Sequence, residues 1–146
     1  MYFVDMRQMN ELLDFFDETI ANVKDRSFET EVEKYALERI THLLIESLID
    51  VGNMMIDGFI MRDPGSYQDI IDILVDEQVI PESDKSAYQL LIEQRRVVVQ
   101  EYKQINHDQL EQLLQEYYQP LSQFSKNIRL YLANEMGVAN TFINKV

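Results

Sequence analysis

Residues 28 to 60 contain no proline and place Val32, Tyr35, Ala36, Ile40, Leu43, Leu44, Leu48, Val51, Met55 and Phe59 at steps of one, three and four. That spacing is the signature of an α-helix, and this is the longest element the chain can form. From Leu43 onward the segment is apolar on more than one face. A stripe that wide belongs to a helix that is central in its bundle or shared with a partner chain. The rest of the molecule must therefore be arranged around it.

The neighbouring segments repeat the same period. Residues 4–24 carry Met9, Leu12, Leu13, Phe16 and Ile20, and the polar "KDRSF" that follows offers Ser27 as the N-cap of the long helix. "RDPGSY" ends that helix, and Ser66 with Asp69 three residues later opens a third over about 67–78. Pro81 in "VIPESD" suits the first turn of a fourth, running to about residue 100. Asn106 caps a last helix over about 107–134, which Pro120 bends or divides in two. Residues 135–146, including "GVANTFINKV", read as a loosely held tail. Val97, Val98 and Val99 favour a strand locally, but a single strand would have no partner. The expectation is a single all-α domain over 1–146, an antiparallel helical bundle of about five helices.

Composition narrows the function classes. There is no cysteine, so disulfide and thiolate chemistry are excluded. Two histidines, His42 and His107, are too few for a histidine-rich metal site in one chain, and neither metal nor cofactor is expected. With 13 basic and 26 acidic side chains the net charge is −13. Generic nucleic-acid binding is thereby opposed, because phosphate affinity comes largely from lysine and arginine, so any RNA contact must be focused and strongly salt-dependent. No apolar run reaches the roughly 18 to 20 residues that span a bilayer. "MYFVDMRQMN" lacks the basic start and apolar middle of a secretory signal. We expect a cytoplasmic protein without a membrane partner.

The segment most loaded with chemistry is "RRVVVQEY", residues 95–102. Tyr88, Leu91, Ile92, Arg95, Val99 and Tyr102 fall on one face of the fourth helix. Arg95 thus interrupts an apolar stripe, where a guanidinium is costly unless a carboxylate, a phosphate or water satisfies it. Arg96 and Gln100 share the adjacent face, with Lys103 nearby. Two readings compete. In one, Arg95 pairs with a carboxylate such as Asp50 and only joins helices. In the other, the group binds a phosphate or nucleotide.

The same stretch resembles the Arg-x4-His-x-Tyr signature, often "RNVLVHEY", of HepT-like proteins, a branch of the HEPN group. Arg95 and Tyr102 match it. "ALERITHLLIESLIDVGNMMIDG", residues 36–58, is similar to that family's long second helix, with Glu46, Asp50 and Asn53 at its polar positions. "PGSYQDIIDILVDEQVIPES", residues 64–83, is similar to its third helix and the turn after it. The likeness extends over about residues 28–132, and the glutamine in the motif is closest to the YutE-like subgroup.

The resemblance implies a helical homodimer with its interface on the second and fourth helices, and metal-independent endoribonuclease activity of toxin–antitoxin type. It implies Arg95, Gln100 and Tyr102 as the positions of the catalytic motif. Arg95, Arg96, Lys103, Asp50 and Asn53 would contact RNA or nucleotide. A nucleotidyltransferase antitoxin could modify Tyr102. In that chemistry arginine holds the scissile phosphate and histidine moves protons. Here Gln100 occupies the histidine position, and an amide has no usable proton equilibrium near neutral pH. Met54 stands where the family often has a second histidine. His42 and His107 read as surface or packing residues. Three functions remain open on these grounds: a binding or regulatory protein with a degenerate motif, an active ribonuclease, or a purely structural interaction partner.

Overall fold

The computed structural model describes residues 4–144, with side chains described through residue 135. Its described residues form seven α-helices and one 3₁₀ turn. They are α1 (Met6–Ala21), α2 (Glu31–Gly58), α3 (Tyr67–Asp76), the turn Glu82–Asp84, α4 (Lys85–Val99), α5 (His107–Glu116), α6 (Tyr118–Ser122) and α7 (Phe124–Asn144). The all-α expectation holds, and no strand occurs among the described residues.

Local chemistry explains the boundaries. Asp5 caps α1 by accepting the Gln8 N–H at 3.1 Å. Ser66 and Asn106 cap α3 and α5 as their sequence context implies, accepting the N–H groups of Asp69 and Gln109. The start of α2 is different from the expectation at Ser27. A reciprocal capping box forms three residues later: Thr30 Oγ1 accepts the Glu33 N–H at 3.2 Å, and Glu33 Oε1 accepts the Thr30 N–H at 3.0 Å. The Thr30 N–H first, and then the Thr30 side chain, hold the Glu33 carboxyl below its ordinary range. Pro81 precedes the 3₁₀ turn rather than lying in α4 itself. Around Pro120 the expected last helix is divided into three, with Pro120 in the short α6, where a missing N–H is tolerated. Helix α7 continues to Asn144, past the expected end near 134, and the side chains of the supposed tail lie outside the described residues.

Helix α2 is the axis of the bundle: α1, α3, α4 and α5 all pack on it. Leu37, Leu44, Ile45, Leu48, Val51 and Met55 are fully buried, each contributing about 1.5–3 kcal/mol of transfer free energy. The wide apolar stripe is thus largely consumed within one chain. Aromatic packing closes the other end, where the Phe124 ring lies 5.0 Å from Phe16 and 5.7 Å from Tyr88. The buried Tyr88 hydroxyl donates to the Pro120 carbonyl at 2.7 Å, tying α4 to the α5–α7 region. Gly52 marks the closest approach of α2 and α3, since a Cβ there would lie 2.5 Å from Ile70 Cγ2.

Candidate functional site

Along α4 the side chains rise from core to solvent. Tyr88 and Leu91 are fully buried, Arg95 is half-buried, and Val99 is exposed. Arg95 sits at the level where apolar packing gives out. Its Nε donates to Glu46 Oε1 on α2 at 2.7 Å, and its guanidinium lies 4.8 Å over the ring of Tyr67, the first residue of α3. The Glu46 hydrogen bond pushes the Arg95 pKa up from an already high value, so the charge is permanent. Among the described residues neither terminal nitrogen of Arg95 has a partner. An ion pair this open to water contributes about 0–1 kcal/mol to stability. Joining helices is therefore a weak account of why a cation interrupts this stripe.

The Arg95–Asp50 pairing expected from the sequence is corrected to Arg95–Glu46. Glu46 stands one turn earlier on α2, with a longer side chain, and it is the residue level with Arg95. Asp50 is exposed; loss of hydration and then the like charge of Glu46 push its carboxyl up. Asn53 is half-buried, and no hydrogen bond joins it to Arg95 or Tyr102 among the described residues.

Glu46 has a second neighbour. Its Oε1 lies 3.5 Å from His42 Nε2, and the other ring nitrogen of His42, Nδ1, lies 3.4 Å from Arg39 NH1. Arg39, His42 and Glu46 follow at i, i+3 and i+7 on one face of α2. The i, i+4 relation of His42 to Glu46 was available in the sequence, but the alignment of that row with Arg95 and Tyr67 needs the packing of three helices. His107 has a different setting: its Nε2 meets Glu38 Oε2 at 2.7 Å, linking α5 to α2, as a packing histidine would.

The remaining motif residues lie past the helix. Helix α4 ends at Val99, and the Gln100 N–H caps it on the carbonyls of Arg96 and Val97. Tyr102 therefore does not continue the α4 face as expected; it stands in the following turn, 60% exposed. Arg96 Nε pairs with Glu101 Oε2 at 3.1 Å in the open, and Lys103 is exposed. Arg62, in the "RDPGSY" break after α2, clamps α3 by donating to Asp69 at 2.8 Å and Asp76 at 3.5 Å. No group of three or more histidine, cysteine, aspartate or glutamate side chains is placed to hold a metal among the described residues, and no described helix is long and apolar enough to cross a membrane.

Three comparisons bear on this geometry. The chain is 44% identical over 143 residues to a Bacillus subtilis (strain 168) protein named "Putative RNase YutE", covering 97% of this chain and 99% of that one. A solved structure of the cytosolic protein YutE from Bacillus subtilis superposes with a TM-score of 0.90 at 45% identity, over 94% of this chain and 96% of the other. A tri-AMPylated HEPN toxin of Shewanella oneidensis, solved in complex with its MNT antitoxin, shares the fold at a TM-score of 0.71 and 17% identity, over 84% of this chain and 95% of that chain. The family model described as "Ribonuclease HepT-like" matches residues 9–128, and the chain belongs to that HepT-like ribonuclease family.

Proposed function

We propose that this protein binds single-stranded RNA or a nucleotide through a phosphate-binding site centred on Arg95. The motif has lost its own proton carrier at Gln100, and the protein acts in the cytoplasm as a member of a toxin–antitoxin-type pair. The observation that carries this reading is the state of the Arg95 guanidinium. It is anchored by Nε on Glu46, braced by the Tyr67 ring, and has both terminal nitrogens unpartnered among the described residues. A planar fork held in that manner suits two oxygens of one phosphate. Arg96 and Lys103, both exposed near the end of α4, would extend the contact along the RNA backbone. Asp50 and Asn53 act at the margin of the site rather than on Arg95.

In this reading two copies associate through the α2–α4 side, where Tyr67, Val99 and Tyr102 expose apolar surface, and each contributes an Arg95 to a common cleft. Tyr102 offers an accessible phenol to a nucleotidyltransferase partner, and the Shewanella relative is itself an AMPylated toxin bound to an antitoxin. A second reading, an active metal-independent endoribonuclease, is favoured by the histidine beside Glu46.

Fluorescence anisotropy with a labelled RNA pool tests the first reading. Wild-type protein should bind with an affinity that falls steeply with salt, and Arg95→Ala should weaken binding at least tenfold. Equal affinity in the two proteins would leave only a structural role for the motif. Light scattering at micromolar concentration should give the dimer mass.

A further inference from the structure

We propose that His42, on α2, is the proton acceptor of this site and replaces the histidine that the motif on α4 lacks. The inference rests on the ribonuclease reading of the Arg95 cleft. Glu46 Oε1 touches both His42 Nε2 and Arg95 Nε, at 3.5 and 2.7 Å, so imidazole and guanidinium are held on either side of one carboxylate oxygen. A phosphate that bridges the terminal nitrogens of Arg95 and the guanidinium of Arg39 would pass the imidazole, which lies between Arg39 and Glu46 on one row of α2.

The partners of His42 also select its tautomer. Arg39 can only donate, so the ring nitrogen facing it, Nδ1, carries the lone pair and the proton sits on Nε2, whose 3.5 Å approach to Glu46 Oε1 is a charge contact rather than a hydrogen bond. A carboxylate behind Nε2 stabilises the imidazolium that forms when Nδ1 gains a proton, the role a carboxylate has in hydrolytic triads. Arg39 is exposed and its 3.4 Å contact is long, so an incoming phosphate can draw it off Nδ1 and use it as a second cation. The charged groups that touch His42 are Arg39 and Glu46, and Arg95 on α4 faces it across the Glu46 carboxylate.

The reaction balances without a metal. The ribose 2′-hydroxyl gives its proton to His42 Nδ1 while the 2′-oxygen bonds to phosphorus. The P–O5′ bond breaks, and the 5′-oxygen leaves and takes a proton from water. Arg95 meets the charge that builds on the non-bridging oxygens. The products are a 2′,3′-cyclic phosphate end and a 5′-hydroxyl end, and His42 returns its proton to solvent.

As a purely structural contact, a half-buried i, i+4 histidine–glutamate pair held at 3.5 Å adds little to the fold. Replacing His42 therefore leaves the fold intact, and the test is clean. Full-length wild-type, His42→Gln and Arg95→Ala proteins are incubated in EDTA with a fluorescein-labelled random-sequence RNA pool. Binding is measured in parallel on the 2′-O-methyl version, which cannot be cleaved. We expect wild type to cleave to cyclic-phosphate ends. His42→Gln keeps hydrogen-bonding atoms near Glu46 and Arg39 but carries no proton; it should cleave at least about 100-fold more slowly, the lower range of general-base contributions, with affinity within about threefold. Arg95→Ala should lose both binding and cleavage. Cleavage by His42→Gln at the wild-type rate overturns the assignment, as does wild-type protein that binds the pool and never cuts it. The latter result spares the binding site itself, whereas a wild type that binds no RNA removes the site and the inference together.

Discussion

Arg95 and Arg129 both reach from one helix to another, and they are satisfied very differently. Arg129, on α7, has every nitrogen engaged: Nε donates to Ser125 Oγ at 3.1 Å, NH1 to Asn10 Oδ1 at 2.9 Å and NH2 to Asp14 Oδ1 at 2.8 Å. Beside it, desolvation pushes the Asp17 carboxyl up, and Ser125 and Arg129 only partly offset that burial. Arg95 has one nitrogen engaged and an aromatic ring beneath it. A guanidinium bonded through all three of its nitrogens joins α7 to α1 and presents no unpartnered nitrogen to a ligand. A guanidinium held by one edge is positioned and still able to bind. The difference separates a structural arginine from a candidate site more sharply than burial or charge alone.

The strongest attack on that contrast uses Gln100→His. Restoring the family histidine at the end of α4 should raise RNA cleavage by about 100-fold or more, the worth of a placed acid–base group. A folded variant with no gain would mean that the Gln100 position cannot reach a phosphate on Arg95. Next in size is the exchange of roles between the arginines. Arg129→Ala should lower the melting temperature by about 2–4 °C, corresponding to about 1 kcal/mol for a chain of this size, with RNA affinity unchanged. Arg95→Ala should do the opposite, and equal melting losses in the two variants would erase the distinction.

Tyr67→Ala should weaken RNA binding by about two- to fivefold, since removing an exposed cation–π brace frees the guanidinium at a cost of about 0.5–1 kcal/mol; Tyr67→Phe should bind like wild type in the same anisotropy assay. The smallest effect concerns a third arginine, Arg62. Its hydrogen bond, then the Gly65 N–H, hold the Asp69 carboxyl below its ordinary value. A depressed carboxyl contributes stability above its unfolded pKa and loses it as pH falls through the folded one. Thermal melts of Asp69→Asn should therefore fall below wild type at pH 7, with the gap closing as the pH drops below the ordinary carboxylate range.

Much of the architecture was readable from spacing and caps. Ser66 and Asn106 act where their neighbours implied, because capping is chemistry within three residues. Thr30 displaced Ser27 because it has Glu33 to complete a reciprocal pair. Arg95 was recognisable as a cation in an apolar stripe, yet its partner was misjudged, because helical periodicity gives a face and says nothing of the level at which two helices meet. His42 was read as a surface or packing residue; its i, i+4 step to Glu46 is in the sequence, but its relation to Arg95 emerges only from packing. Tyr67 gave no local signal at all, being simply the first residue of a helix. The shared face assigned to Tyr102 failed because α4 stops at Val99.

Gly52 gives the cluster an unexpected dependency. Because its α-carbon carries nothing, Ile70 can settle directly against the α2 backbone, and Tyr67, one turn before Ile70, takes its height from that seat. A single methyl added on the far side of the contact would lift α3 like a shim and carry the aromatic floor away from the cation above it. The proposed phosphate site is thus tuned from within the core, by an atom that is missing rather than by one that would touch a ligand.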